Sequence, residues 1–211
     1  VKWGLPNLIT AGRLVLTPVL VVLVFQPTVD ARIAACAVFL VAAVSDLWDG
    51  YLARSRDEIT NFGKLADPLA DKLLLAAALV PFYLVTRSDP LLAGIPLYGH
   101  VPLWVVLVLL GREALITVLR TLVARRGTVV QARQAGKYKA FVQNIFLGAT
   151  LLWLALRTGS ATRGWEGGAW SDWFAFHGWF VALTLTVALV LTVYSMVLYL
   201  ASFRGLDAER P

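Results

Sequence analysis

Four aspartates, Asp46, Asp49, Asp67 and Asp71, lie within the segment SDLWDGYLARSRDEITNFGKLADPLADK that runs from Ser45 to Lys72. In a helix, Asp46, Asp49, Gly50 and Ala53 follow i, i+3, i+4, i+7 spacing and share one face. Asp67 and Asp71 stand at i, i+4 and share a face of a second helix. The intervening stretch, Arg54 to Ala66, is short enough for two antiparallel neighbours to bring these faces together. Four carboxylates in a low-dielectric pocket repel one another, and without a counter-charge several must take up protons. A divalent metal is the economical answer, and an all-oxygen donor set with no His or Cys selects the hard cations Mg2+ or Mn2+ over zinc. Such a centre can clamp a diphosphate and stabilise the entering and leaving oxygens of a displacement. The small residues Gly50 and Ala53 leave room for a bulky ligand against the helix, or permit close helix packing. Arg54, one turn below Gly50, is placed to neutralise phosphate charge.

The elements that carry these acids must lie in a membrane. The 211 residues are 59% hydrophobic and 15% charged, and the mean hydropathy is +0.73, whereas soluble domains run near 25% charged. An ordinary soluble domain is excluded, and with 9 Pro, 16 Gly and no low-complexity tract so are disordered and collagen-like chains. The lone cysteine, Cys36, has no partner for an intramolecular disulfide and reads as an inert membrane cysteine. A hydrocarbon core of about 30 Å needs roughly 20 helical residues. Six stretches meet this: Asn7 to Phe25, Ala31 to Ala53, Pro68 to Val85, Val101 to Val123, Tyr138 to Leu156 and Gly178 to Ala201. Breaks fall at Gln26-Pro27, from Arg87 to Gly99, and across the Gly/Trp-rich segment Gly159 to Gly178. The expected fold is thus an all-α integral membrane protein, one domain over residues 1–211 with six transmembrane helices.

Fifteen of the 19 Lys and Arg fall on the side of the two termini, leaving Arg32, Arg87, Arg157 and Arg163 on the other. That asymmetry predicts that both termini are cytoplasmic. It also explains the net charge of +6 without nucleic acid as a partner. Trp165, Trp170, Trp173 and Trp179 then form an aromatic belt at the outer interface.

Apart from Arg32 at the opposite end of the second span, charge within the spans shares one layer. The sixth span has none; the first carries Arg13, the second Asp46 and Asp49, the third Asp71 and Lys72, and the fourth Arg112, Glu113 and Arg120, all toward the cytoplasmic end. An aspartate at mid-membrane costs about 2.5–3.5 kcal/mol, so these acids are expected to line a polar cavity open to the cytoplasmic side. A cation transporter with an aspartate ion site is one reading of such a cavity. The single depth of the acids, and the lack of an inverted repeat or interrupted helix pair, weigh against it. His100 and His177 read as surface residues at the outer loops, and Glu113 as an ion-pair partner of Arg112.

The spacing DxxDGxxAR, eight residues, then GxxxDxxxD, is met in full by Asp46, Asp49, Gly50, Ala53, Arg54, Gly63, Asp67 and Asp71. It resembles the signature of the CDP-alcohol phosphotransferases, whose six-helix fold with acids on the cytoplasmic side agrees with the spans above. The resemblance implies that an acceptor hydroxyl attacks the phosphorus next to the lipid alcohol of a CDP-linked lipid and that CMP leaves. It further implies that Asp46, Asp49 and Asp67 are metal ligands and that Asp71 is the general base, itself near metal.

Pro6-Asn7-Leu8-Ile9-Thr10 with Arg13, then NFGKLADPLADK from Asn61, the run from Arg112 through Ile116 to Arg120, and Gly136-Lys137-Tyr138-Lys139 extend the resemblance over most of the first 145 residues. These segments are similar to the branch that joins CDP-diacylglycerol to sn-glycerol 3-phosphate in phospholipid biosynthesis; Ala66 departs from the larger aliphatic residue expected before Asp67-Pro68. Arg112, Arg120, Lys137 and Lys139 are suited to a cationic pocket for the acceptor phosphate, or to positive-inside topology with snorkelling. Asn7, Thr10 and Arg13, on one face of the first helix, are placed to meet the cytidine or its phosphates, with Asn7 and Thr10 alternatively capping the helix behind Pro6. With Gly50, Ala53, Arg54 and Gly63 they make up the expected CDP-lipid site. Inositol phosphate, serine or a second lipid are alternative acceptors, of which serine has no use for the basic cluster. The resemblance also implies a homodimer, and a bacterial plasma membrane is the simplest expected location.

Overall fold

The computed structural model describes residues 5–56, 61–125, 134–165 and 167–208, with side chains described for 7–46, 66–122, 136–165 and 167–201. Six long helices follow in order: α1 (Leu5–Phe25), α2 (Val29–Arg56), α3 (Asn61–Ser88), α4 (Leu103–Arg125), α5 (Gln134–Arg163) and α6 (Gly168–Ala208). A 3-10 turn at Pro90–Leu92 joins α3 to α4. Asn7–Phe25, Ala66–Ser88, Gly136–Arg163 and Gly168–Ala201 are long and apolar enough to cross a bilayer. Over their described residues α4, with Arg112, Glu113 and Arg120, and α2, with Asp30, Arg32 and Asp46, do not reach that apolarity. The chain is an all-helical membrane protein.

Hydrocarbon cannot satisfy a polar group, so hydroxyls inside these helices must bond to their own backbone. Thr17 Oγ1 donates to the Arg13 carbonyl at 2.8 Å, Thr86 to Phe82 at 2.8 Å and Thr158 to Leu154 at 2.6 Å. α1 packs on α2 and α3, α5 packs on α2 and α6, and α4 closes the side formed by α3 and α6. The core between them is built from large apolar side chains such as Phe39, Leu79, Phe82, Phe146, Leu151 and Leu185. One end of the bundle is tied by side chains that bond to loop carbonyls. Arg32 Nε donates to the Gln26 carbonyl at 3.0 Å and its guanidinium to Thr158, while Trp153 Nε1 reaches the Leu92 carbonyl at 3.1 Å and Arg157 the Leu91 carbonyl at 2.8 Å.

Two features differ from the sequence reading. The segment Gly159 to Gly178, expected as a loop, is helical except for the short link after Arg163, where Gly164 and Gly167 take φ of +65° and +102°. Hydropathy marks only the residues that sit in hydrocarbon, whereas helical hydrogen bonding continues through the Trp-rich interface until glycines adopt the left-handed turn. As a result His177 lies within α6, is only 3% exposed, and packs against Trp153 and Trp173 with ring centroids 5.8 and 5.7 Å away. It is therefore not a surface residue, whereas His100 is exposed as expected.

Gly178 lets α6 approach α5, because a Cβ there would stand 3.0 Å from Pro96 Cδ and 3.3 Å from the Trp153 ring. Gly178→Leu is therefore expected to lower stability by about 1–3 kcal/mol, the usual range for overpacking. An unchanged thermal unfolding midpoint in detergent would show that the two helices have slack at this contact.

Candidate active site

α1 carries Asn7, Thr10 and Arg13 on its buried face, each no more than 2% exposed. The Arg13 guanidinium reaches into the acids of α2 and α3. Its Nη1 bonds to Asp46 Oδ1 and, at 2.7 Å, to Asp71 Oδ1, while Nη2 stands 3.4 Å from Asp67 Oδ1. Thr10 Oγ1 donates to the same Asp67 oxygen at 2.6 Å. Three of the four aspartates thus converge on one buried cation, as the shared helix faces predict. Asp49, Gly50, Ala53 and Arg54 belong to α2 and Gly63 to α3, but their side chains lie outside the described residues.

Two cavities meet at this cluster. The larger, about 920 Å³, runs between α2, α5 and α6 past Phe39, Leu40, Phe141, Ile145 and Leu152 to Trp173, Phe176, His177 and Phe180. It is mostly apolar, and its polar end holds Arg13, Asp46, Asp67 and Lys137. The smaller, about 130 Å³, lies between α3, α4 and α5 and is lined by Asp71, Lys72, Glu113, Lys139, Gln143 and Asn144. Asp46 lines both, Asp67 only the apolar one and Asp71 only the polar one. A second ion cluster borders the polar cavity. Glu113 Oε1 accepts from Arg112 Nη1 at 2.9 Å and from Lys139 Nζ, and Arg112 Nη2 donates to Ser195 Oγ of α6 at 3.0 Å.

The family model described as CDP-alcohol phosphatidyltransferase matches residues 3–194. The chain belongs to this family. It is 36% identical over 162 residues to the CDP-diacylglycerol–glycerol-3-phosphate 3-phosphatidyltransferase of Bacillus subtilis, covering 71% of this chain and 77% of the relative. To the protein of that same name from Salmonella choleraesuis it is 32% identical over 209 residues, 97% of each chain. A probable phosphatidylglycerophosphate synthase of Mycobacterium tuberculosis is 38% identical over 152 residues, 71% of this chain and 66% of the relative.

CDP-alcohol phosphatidyltransferases generally use divalent metals. Among the described residues no three His, Cys, Asp or Glu side chains stand together as a metal site; the Arg13 guanidinium occupies the point on which Asp46, Asp67 and Asp71 converge. The donor set nevertheless fits a hard cation, being oxygen only and already gathered around a positive charge.

The structure divides the four residues expected to form an acceptor-phosphate cluster. Lys139 is 4% exposed and lines the polar cavity, Lys137 faces the apolar one, Arg112 is held by Glu113 and Ser195, and Arg120 is exposed on α4. Glu113 is the ion-pair partner expected, and it serves Lys139 as well as Arg112. Sequence reasoning did not place Lys72, Gln143 or Asn144 at the site. The signal was available, for Gln143 and Asn144 are polar residues within an apolar span, one turn after Lys139 and Ala140.

Arg13→Leu removes the shared counter-charge from three carboxylates. Breaking a fully buried pair costs about 3–5 kcal/mol, but these carboxylates are 35–54% exposed, so a loss on the order of 1–3 kcal/mol is expected after screening. Arg13→Lys should recover part of it. Thermal unfolding of the purified variants measures this, and a Leu variant as stable as the wild type would deny Arg13 the role of counter-ion.

Proposed function

We propose that this chain transfers the phosphatidyl group of CDP-diacylglycerol to sn-glycerol 3-phosphate, giving phosphatidylglycerol phosphate and CMP. The observation that carries this reading is the acid cluster at the junction of a long apolar cavity and a small polar one. A reaction between a two-chain lipid and a small charged polyol needs that division, with the reacting atoms at the shared wall. The names of the relatives favour the same donor and acceptor.

In this scheme the terminal hydroxyl of glycerol 3-phosphate attacks the lipid-linked phosphorus. A new P–O bond forms as the bond from that phosphorus to the CMP oxygen breaks, and Asp71, on the polar side, takes the hydroxyl proton. Asp46, Asp49 and Asp67 are the ligands for Mg2+ or Mn2+, with Asp71 alongside. When bound, the metal neutralises the diphosphate and the charge developing on the leaving CMP. Asn7, Thr10, Arg13, Gly50, Ala53, Arg54 and Gly63 hold the CDP-lipid. Lys139, joined to Arg112 through Glu113, provides positive charge for the acceptor phosphate. The six helices all span, both termini and the site face the cytoplasm of a bacterial inner membrane, and two copies pair as a homodimer.

Purified protein in detergent with CDP-diacylglycerol and Mg2+ is expected to release CMP with glycerol 3-phosphate, but not with myo-inositol 1-phosphate, serine or no acceptor. Excess EDTA should stop release reversibly. Release with a different acceptor alone would overturn the choice of substrate, and none with any acceptor would overturn the transferase reading. Asp71→Asn should reduce turnover by about 10²–10⁴-fold, the usual worth of a general base, with CDP-diacylglycerol binding retained. Equal losses in binding and rate would make Asp71 a ligand and not the base.

A further inference from the structure

Gln143 has no part in the reaction as described. It lies on α5 one turn beyond Lys139, is 5% exposed, and lines the polar cavity with Asp71, Lys72, Glu113 and Lys139. Its Oε1 is fully buried and has no hydrogen-bond partner. Native proteins rarely leave a buried amide oxygen in that state, because desolvation without a replacement bond is costly. The chemistry of the cavity suggests what is missing. Lys72 and Lys139 suit an anion, and the carboxylates of Asp71 and Glu113 suit a cation or a departing proton. The Gln143 amide is neutral, and a neutral hydroxyl donor is its complement. At about 130 Å³, the cavity holds roughly four water volumes, the scale of a three-carbon polyol.

We infer that Gln143 determines acceptor specificity by accepting a hydrogen bond at Oε1 from the acceptor's middle hydroxyl, the one that does not react. With the phosphate held by lysine and the middle hydroxyl by Gln143, the remaining terminal hydroxyl is directed to Asp71. This rests on the glycerol phosphate reading above. A site built to bond a hydroxyl rejects the analogue without it far more strongly than an apolar pocket does, because the buried partner is left unpaired.

The test compares kcat/KM for sn-glycerol 3-phosphate with that for 1,3-propanediol monophosphate, which lacks the middle hydroxyl, in wild type and Gln143→Leu. Wild type is expected to prefer glycerol 3-phosphate by about tenfold or more, as one buried hydrogen bond allows. Gln143→Leu should bring the two acceptors within about threefold, through a raised KM for glycerol 3-phosphate and an unchanged KM for CDP-diacylglycerol. A merely structural residue would lower both acceptors together and keep the wild-type ratio, and that result overturns the inference. So does a wild-type ratio near one, a measurement that stands if neither Gln143→Leu nor the closer-volume Gln143→Met folds. Absence of CMP release from wild type with glycerol 3-phosphate would instead overturn the acceptor reading itself, and the role of Gln143 with it.

Discussion

A single buried guanidinium holds the acidic centre together. Arg13, 2% exposed, bonds to carboxylates from two other helices, and its positive charge offsets the repulsion among them. The constraint reaches beyond the charges. α1 must lie against both α2 and α3 for one arginine to serve all three acids, and α1 does pack on both. The second cation cluster, Glu113 with Arg112 and Lys139, repeats the device with the signs reversed, one acid anchoring two bases across α4 and α5 and on to Ser195 of α6. Between them these clusters draw on all six helices, α1, α2 and α3 through Arg13 and α4, α5 and α6 through Glu113 and Arg112.

Much of this was legible in the chain. Spacing put Asp67 and Asp71 on one face of α3, because i, i+4 positions share a helix face whatever surrounds them. The same rule shows why the expected acceptor cluster divides. Lys137 and Lys139 are i, i+2, and such residues do not face one another, so one lines the apolar cavity and the other the polar one. What spacing cannot show is which helix lies opposite. Asn7, Thr10 and Arg13 were legible as one face, but the bond from Arg13 to residues 33 and 58 positions away is a product of tertiary packing. The helical length of α6 beyond its apolar core, and with it the burial of His177, was hidden because hydropathy records solvent and not hydrogen bonding.

The cavities explain why the chain tolerates its charges. Among the described residues, the charged side chains drawn inside the bundle are paired or bonded to a carbonyl, as for Arg13, Arg32, Arg112 and Lys139. The apolar cavity, by contrast, is lined by Phe and Leu side chains and, beside α6, by Trp173, Phe176 and Phe180. Among the described residues the apolar and polar cavities share a short wall of Ala43, Asp46, Ala140 and Asn144.

That shared wall has a pharmacological consequence. A single molecule with an aliphatic tail for one compartment and a phosphorylated polyol for the other, joined across Asp46, would occupy both at once. Binding of the second half would then be intramolecular, at a high effective concentration set by the linker, and the rotational and translational loss would be incurred once for both. Two weak fragments that share only their point of contact at Asp46 thereby become the starting point for one tight bisubstrate inhibitor.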